Sequence, residues 1–185
     1  MSAILENQLT PTFSPTRFTQ VKRINNNNEV NSFYSDCVRR LRNAPQWNYM
    51  SLLNLAYKIT AHDSMGLPVN RELEKGDYLK VIADTDGKGK RFFWLLVDDV
   101  QHQKELDLSE ESVGIMLREI ENPNLITELS AINATKGKYE LHLRRLINTI
   151  SIDVKIINQQ TIDQSKSFLN YFKWEAFSKQ ILLQL

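Results

Sequence analysis

The hydrophobic positions of this chain change period several times, and each change marks an element. From Asn31, the residues Phe33, Cys37, Val38 and Leu41 recur at three- and four-residue steps, with Arg39, Arg40 and Arg42 on the remaining positions. That spacing predicts a helix with one buried face. Asn43-Ala44-Pro45 ends it, because proline disfavours helical geometry in the residue before it. Leu52 to Thr60 then alternates as a half-buried strand, and Ser64-Met65-Gly66-Leu67-Pro68 is a loop. The clearest signal runs from Gly76 to Val100. Gly76-Asp77 breaks the chain, Asp86-Gly87 turns it, and the return from Lys90 is rich in aromatic and β-branched residues. This is the pattern of a tight hairpin.

Beyond it, Asp98 to Glu111 reads as an acidic connector and Ser112 to Glu119 as a short strand. Asn122-Pro123-Asn124 is a turn, and residues 125–133 fit a short helix or a loop. Lys138 to Leu146 and Thr149 to Ile157 form a second hairpin. In it Tyr139, Leu141 and Leu143 alternate with Glu140, His142 and Arg144, as in a strand with one buried face. The last segment, Thr161 to Leu185, is helical, with Tyr171, Trp174, Phe177, Ile181 and Leu185 in one stripe and Thr161 or Asp163 as its cap. Residues 1–30 stand apart. Pro11, Pro15 and Asn25-Asn26-Asn27-Asn28, with no sustained apolar period, predict an extended arm that orders only against something else.

The sum is an arm over residues 1–30 and a single α+β domain over residues 31–185. Five or six short antiparallel strands form a small β-barrel or curled sheet, SH3-like or similar, with an N-terminal helix and a C-terminal packing helix. Closure would protect the edges of so small a sheet.

The order of the pieces carries a resemblance. Gly76-Asp77-Tyr78-Leu79-Lys80-Val81 precedes Phe93-Trp94-Leu95-Leu96-Val97-Asp98-Asp99-Val100. Then come Val113-Gly114-Ile115-Met116-Leu117-Arg118, Asn122-Pro123-Asn124, a Lys-Tyr-x-Leu strand with its return, and a Lys173-Trp174 helix. Over roughly residues 50 to 185 this resembles a family of bacterial proteins of unknown function, with a Gly-Asp-Tyr strand, a Trp-Val strand, a Gly-Ile-x-x-Arg strand and a closing Trp helix. Asn158-Gln159-Gln160 stands where such proteins tend to carry Gly-Arg-Asn-Glu. The resemblance implies this fold and a bacterial origin, and it implies no activity.

Composition narrows the picture mainly by exclusion. A chain of 185 residues that is 42% hydrophobic can bury one sizeable core without staples. A formal charge of +1 gives no global pull towards nucleic acid or anionic membrane. The single cysteine, Cys37, excludes an intrachain disulfide and suits a reducing compartment. Met1 to Asn7 lacks the basic region and apolar core of a signal peptide, and no segment approaches the ~20 apolar residues that span a bilayer. A cytoplasmic protein without a membrane span is expected.

Candidate chemistry is sparse. Asp84-Thr85-Asp86-Gly87-Lys88-Gly89-Lys90 opens like a cation loop, but Leu95 stands where a bidentate acid is needed, and two lysines would repel the ion. Its Gly-Lys-Gly-Lys tip lacks P-loop spacing. His62, His102 and His142 lie far apart and outside any metal-ligand spacing. Cys37 has the spacing of a packing residue, although Arg39 and Arg40 beside it would lower the pKa of an exposed thiol. The adjacent Asp98 and Asp99 would point to opposite faces of a strand. No catalytic residue, cofactor site or metal site is therefore assigned.

Charge distribution says more than any motif. Residues 17–42 carry six basic residues against Glu29 and Asp36, a balance of +4, whereas residues 98–128 carry nine acids against Lys104 and Arg118, a balance of −7. Opposed regions of this kind pair with other proteins or with copies of the same chain. Arg17, Lys22, Arg23, Arg39, Arg40, Asp107, Glu110 and Glu111 are the candidate contact residues. The leading expectation is a non-enzymatic protein-interaction or structural module in a larger bacterial assembly, such as secretion or phage-tail-like machinery. One alternative is a small barrel that binds single-stranded nucleic acid through Tyr78, Phe92, Phe93 and Trp94 with Lys80, Lys88, Lys90 and Arg91. Another is an enzyme in which Asp63, Asp77, Tyr78 and Arg118 converge. The closing stripe predicts that truncation after Gln164 ruins the core, and that removal of residues 1–28 leaves it folded.

Overall fold

The computed structural model describes residues 16–50, 57–84, 89–105, 110–123, 137–157 and 172–183. Among the described residues, eight antiparallel strands form one curled sheet, and two α-helices pack on its inner side. In chain order they are β1 (Thr16–Arg23), α1 (Asn27–Arg42), a 3-10 turn (Ala44–Tyr49), β2 (Tyr57–His62), β3 (Pro68–Val69) and β4 (Tyr78–Asp84). There follow β5 (Lys90–Glu105), β6 (Glu110–Ile120), β7 (Lys138–Leu146), β8 (Thr149–Ile157) and α2 (Trp174–Ile181). The spatial order is β1-β8-β7-β6-β5-β4-β2-β3.

The sheet is open, with β1 and β3 at its edges, so the expected barrel is not closed. Two further differences from the expectation concern what the sheet contains. First, part of the presumed arm is a strand of the domain itself. Thr16 to Arg23 pairs with Ile156 to Thr149 along its whole length, and the Ile24 amide donates to the Asn148 carbonyl at 2.9 Å. Second, the acidic connector is not a connector. Asp98 to Glu105 continues β5 and Glu110-Glu111 opens β6, so a long two-stranded ribbon extends the sheet. Asp107, Asn124 and residues 125–133 lie outside the described residues, as do Thr161, Asp163, Tyr171, Leu185 and Leu52 to Leu55.

Alternation sets the two faces. Leu79, Val81, Phe93, Leu95, Val97, Val113, Ile115, Leu117, Leu141, Leu143, Ile152 and Val154 face inward and are buried. A bulge interrupts β5: Val97 opposes Leu117 and Asp99 opposes Met116, which leaves Asp98 as the extra residue. Asp98 and Asp99 consequently share the outer face instead of pointing apart. The Arg118 guanidinium grips Asp98 through its Nε at 3.0 and 3.1 Å and its Nη2 at 2.9 Å, while Asp99 accepts from Gln101.

Helix α1 begins where the sequence turns polar. Asn26 caps it by accepting from the Asn28 amide at 3.0 Å, and Glu29 in the first turn reaches back to the Asn26 side chain. Val30, Phe33, Tyr34, Cys37 and Leu41 are its buried stripe. After Pro45 the 3-10 turn folds back, and the Trp47 indole donates to the Arg40 carbonyl at 2.9 Å. Asn48 then continues the sheet's hydrogen bonding sideways, bonding both the amide and the carbonyl of Ile59. Gly76, at φ +92, makes the sharp entry into β4, and its amide meets the Val97 carbonyl.

Helix α2 closes the inner side against β1, β8 and α1. The Trp174 ring stacks on Tyr139 at 4.9 Å, and Phe177 meets Trp47 edge-on at 4.8 Å. Trp174, Phe177 and Ile181 are buried, which places these three members of the closing stripe in the core.

Candidate functional site

The charged residues singled out by sequence are mostly satisfied within the chain. Arg17 and Thr19 both donate to Asp153 across the β1–β8 pair. Burial opposes the charge on Asp153, but these two bonds prevail and hold its carboxyl below the usual range. Lys22 lies 4.5 Å from the Phe33 ring and donates to the Leu182 carbonyl. Arg40 reaches the Gln180 and Leu183 carbonyls at the same place. These two cations therefore cap the C-terminal end of α2, where orphan carbonyls concentrate negative charge. Arg39 pairs with Asp36 on the exposed side of α1, and Arg23 is exposed at the end of β1. Glu110 pairs with Arg144, whose hydrogen bond holds the Glu110 carboxyl below its usual range.

Glu111 has a different setting. It accepts from His102 at 2.7 Å and lies 3.5 Å from Arg145, which donates in turn to Asn31 of α1. Tyr34 lies beneath Arg145, and burial, then the Glu111 charge, pushes its phenol upward. This cluster fastens the start of α1 to the ends of β6 and β7. Cys37 is fully buried in the same helix. Burial raises its thiol to about 11, outweighing the Arg40 charge that sequence alone would stress.

The four residues of an enzymatic reading are each engaged elsewhere. Asp77, 2% exposed, is gripped by both Arg71 nitrogens and by the Glu74 amide. Asp63 accepts from the Met65 and Leu67 amides and so builds its own turn. Arg118 is bound to Asp98, and Tyr78 faces outward beside β2. Among the described residues, no group of three or more His, Cys, Asp or Glu side chains is placed to hold a metal ion.

One concavity, of about 310 Å³, lies between Arg17, Glu140, His142, Asp153 and Lys155 on the outer face of β1, β7 and β8, and another lies on the outer face of β2, β4 and β5. The second is a cleft of about 270 Å³ lined by His62, Ser64, Met65, Gly66, Tyr78, Lys80, Trp94 and Pro123. Strand register builds the floor: His62 opposes Tyr78, and Thr60, Lys80 and Trp94 form the next row. The turn after β2 and Pro123 after β6 supply walls. They explain why Trp94 is only 8% exposed although it points away from the core.

His62 is locked in place. Its Nδ1 lies 3.1 Å from the Gly66 carbonyl, to which it donates, and its Nε2 shares a hydrogen bond of 3.1 Å with the Thr60 hydroxyl. The ring is thereby held 5.7 Å from that of Trp94. Lys80 Nζ lies 5.5 Å from the Trp94 ring and 5.6 Å from that of Phe92, which is 57% exposed. Phe93 points inward and belongs to the core, so three of the four expected rings, Tyr78, Phe92 and Trp94, share the outer face. Lys58 shares it too. Lys90 is exposed, and Lys88 lies outside the described residues. No outward position from Lys58 to His62, Tyr78 to Ile82 or Phe92 to Leu96 carries a carboxylate.

Sequence reasoning missed His62 as a member of this cleft. It also missed Glu119, which is 2% exposed on the inner face and accepts from the Tyr139 hydroxyl. An acid in phase with Val113, Ile115 and Leu117 is the signal that could have found it. Among the described residues no helix is long and apolar enough to cross a membrane.

No known family profile and no curated protein matches the chain. Among solved structures it is similar to "Crystal structure of Ara h 8.0201", at 13% identity and a TM-score of 0.43, over 91% of this chain and 96% of that one. A likeness at that level carries no functional argument.

Proposed function

We propose that this chain is a non-enzymatic interaction module, one part of a larger assembly, and that its working surface is the outer face of β2, β4 and β5. The observation that carries this reading is the cation–aromatic platform of Lys80, Phe92 and Trp94, in which Lys80 and Trp94 line the cleft, Phe92 stands exposed beside it, and no carboxylate lines the cleft. Exposed apolar groups extend the same side: Met65 is 78% and Leu67 57% exposed in the adjoining turn. Apolar surface rimmed by polar groups marks docking sites more often than plain solvated surface. The residues of an enzymatic reading argue the other way, since hydrogen bonds already engage Asp63, Asp77 and Arg118. A cytoplasmic setting belongs to the same proposal and suits the free, buried Cys37.

A photocrosslinking residue placed at Phe92, and separately at His142 on the opposite half of the outer face, tests the reading in the native host. Macromolecular adducts from position 92 and none from position 142 are expected. Equal yields from the two positions would refute the assignment of the surface.

A further inference from the structure

Resting on that reading, we infer that the partner held on the β2–β4–β5 face is single-stranded nucleic acid, with bases on Phe92 and Trp94 and phosphate on Lys80. Three features of the face converge on this chemistry. Phe92 and Trp94 are two residues apart on one strand, so their rings stand about 6.6 Å apart along it. A base can stack on Phe92, which is 57% exposed, and the next base reaches the part of Trp94 that the cleft leaves open; ring stacking is indifferent to base identity. Lys80 projects from the neighbouring strand to within 5.6 Å of both ring centroids. An ammonium there is aimed at the phosphate linking two stacked bases.

Charge supplies the second argument. Among the described residues neither Lys58 nor Lys80 has an ion-pair partner. A polyanion laid along the row meets Lys58 and Lys80; at one end stands Asp98, which Arg118 already neutralises, and at the other the register sets Asp84 opposite Lys90. The nearest turn acid, Asp63, spends its carboxylate on backbone amides. At and beyond the bulge, Asp98, Glu110 and Glu111 each lie within ion-pair distance of an arginine.

Shape supplies the third. The cleft of about 270 Å³ is below the range of drug-sized pockets and takes one flat group at a time. Its walls, the Ser64–Leu67 turn and Pro123, exclude a rigid duplex from Trp94 but admit a single base. An acidic peptide would satisfy Lys80 and leave the rings unused, whereas a nucleotide strand uses rings and cation together.

The full chain should bind fluorescein-labelled oligothymidylate or oligouridylate at low salt, read by anisotropy, with quenching of the Trp94 emission. Trp47 and Trp174 lie inside the core, so Trp94→Phe should abolish the quenching and leave their emission in place. Phe92→Ala should weaken binding roughly tenfold or more, the loss of about one stacked base. Lys80→Gln should lower the magnitude of the log affinity against log salt slope by about 0.7. Phe92 is exposed enough for its variant to fold, which the melting temperature checks. Absence of binding to both oligomers, or binding untouched by Phe92→Ala and Lys80→Gln, overturns the inference. If the oligomers fail but the crosslinker at position 92 captures a protein, the inference falls and the proposed working surface stands. If both fail, both fall.

Discussion

The outward sides of the two central hairpins carry opposite electrical character, although both are strands with alternate residues in the core. On β7 and β8 most charges have a nearby opposite: Lys155 meets Glu140 at 3.0 Å, Arg17 meets Asp153 at 3.0 Å, and Arg144 meets Glu110 at 2.5 Å. On β4 and β5 the cation Lys80 meets only rings. Exposed ion pairs contribute about 0–1 kcal/mol each, so the paired face gains little stability from them. What pairing does is cancel the field that an approaching partner would feel. The unpaired face keeps its field and places it over flat apolar groups.

That contrast assumes that both faces stand on one shared interior, and removing α2 is the severest test. Truncation after Gln164 takes away Phe172, Trp174, Phe177 and Ile181, which sit in the core. A single Phe→Ala at Phe177 should cost about 3–5 kcal/mol, a large share of a usual total of 5–15. The truncated chain should therefore lose its near-ultraviolet circular dichroism and its cooperative melt. A variant that melts cooperatively would mean that the sheet holds without its lid.

Removing residues 1–28 takes away the paired strand β1 together with the Asn26 cap of α1 and the Lys22 contact with α2. The sequence predicts no harm, but the structure shows β1 paired along β8, Ile24 buried, and Arg17 and Thr19 on Asp153. The expected result is a melting temperature lowered by several degrees and a new tendency to associate through the uncovered β8 edge, read by light scattering. An unchanged melt would return β1 to the status of an arm.

Adjacent rings sharpen the comparison at single-residue scale. Phe93→Ala should cost about 3–5 kcal/mol in chemical denaturation, because Phe93 lies in the core. Phe92→Ala should cost less than about 1 kcal/mol, because its ring is mostly in solvent. Similar costs would show that the outer rings serve stability and not docking.

The smallest effect concerns Asp153. Its folded pKa is depressed below the ordinary 3.8. The stabilisation is accordingly present above that value and is lost as pH falls through the lower, folded one. Asp153→Asn should lower the melting temperature near neutral pH by at most about 2–4 °C, and the difference from the unaltered chain should vanish at strongly acidic pH. A gap that persists there would mean that packing, not charge, joins β1 to β8.

Local pattern made some elements legible and left others hidden. The β7–β8 hairpin could be read to its last residue, since a short turn joins two alternating strands. Helix α1 was legible from Phe33, Cys37 and Leu41, with its start a turn earlier than expected at an Asn cap. β1 was hidden because its polar sequence makes sense only beside β8, more than a hundred residues away. The far half of β5 was hidden because Asp98, Asp99 and Glu105 look like solvent, and the arginine that holds Asp98 lies on the next strand. Alternation placed Phe92 and Trp94 together on one face. It said nothing of the walls, because Ser64 to Leu67 and Pro123 reach Trp94 only through the fold.

The bulge at Asp98 has a consequence for how this chain tolerates change. Before it the odd-numbered residues of β5 face the core, as Phe93, Leu95 and Val97 do; after it the even-numbered ones do, beginning with Val100. The strand is thus read in two frames joined by one inserted letter. Gaining or losing a single residue would turn an unbroken strand inside out. In β5 the slack at Asp98 can absorb such a step by closing or shifting the bulge, leaving the platform on one side and the long ribbon on the other each in its own frame.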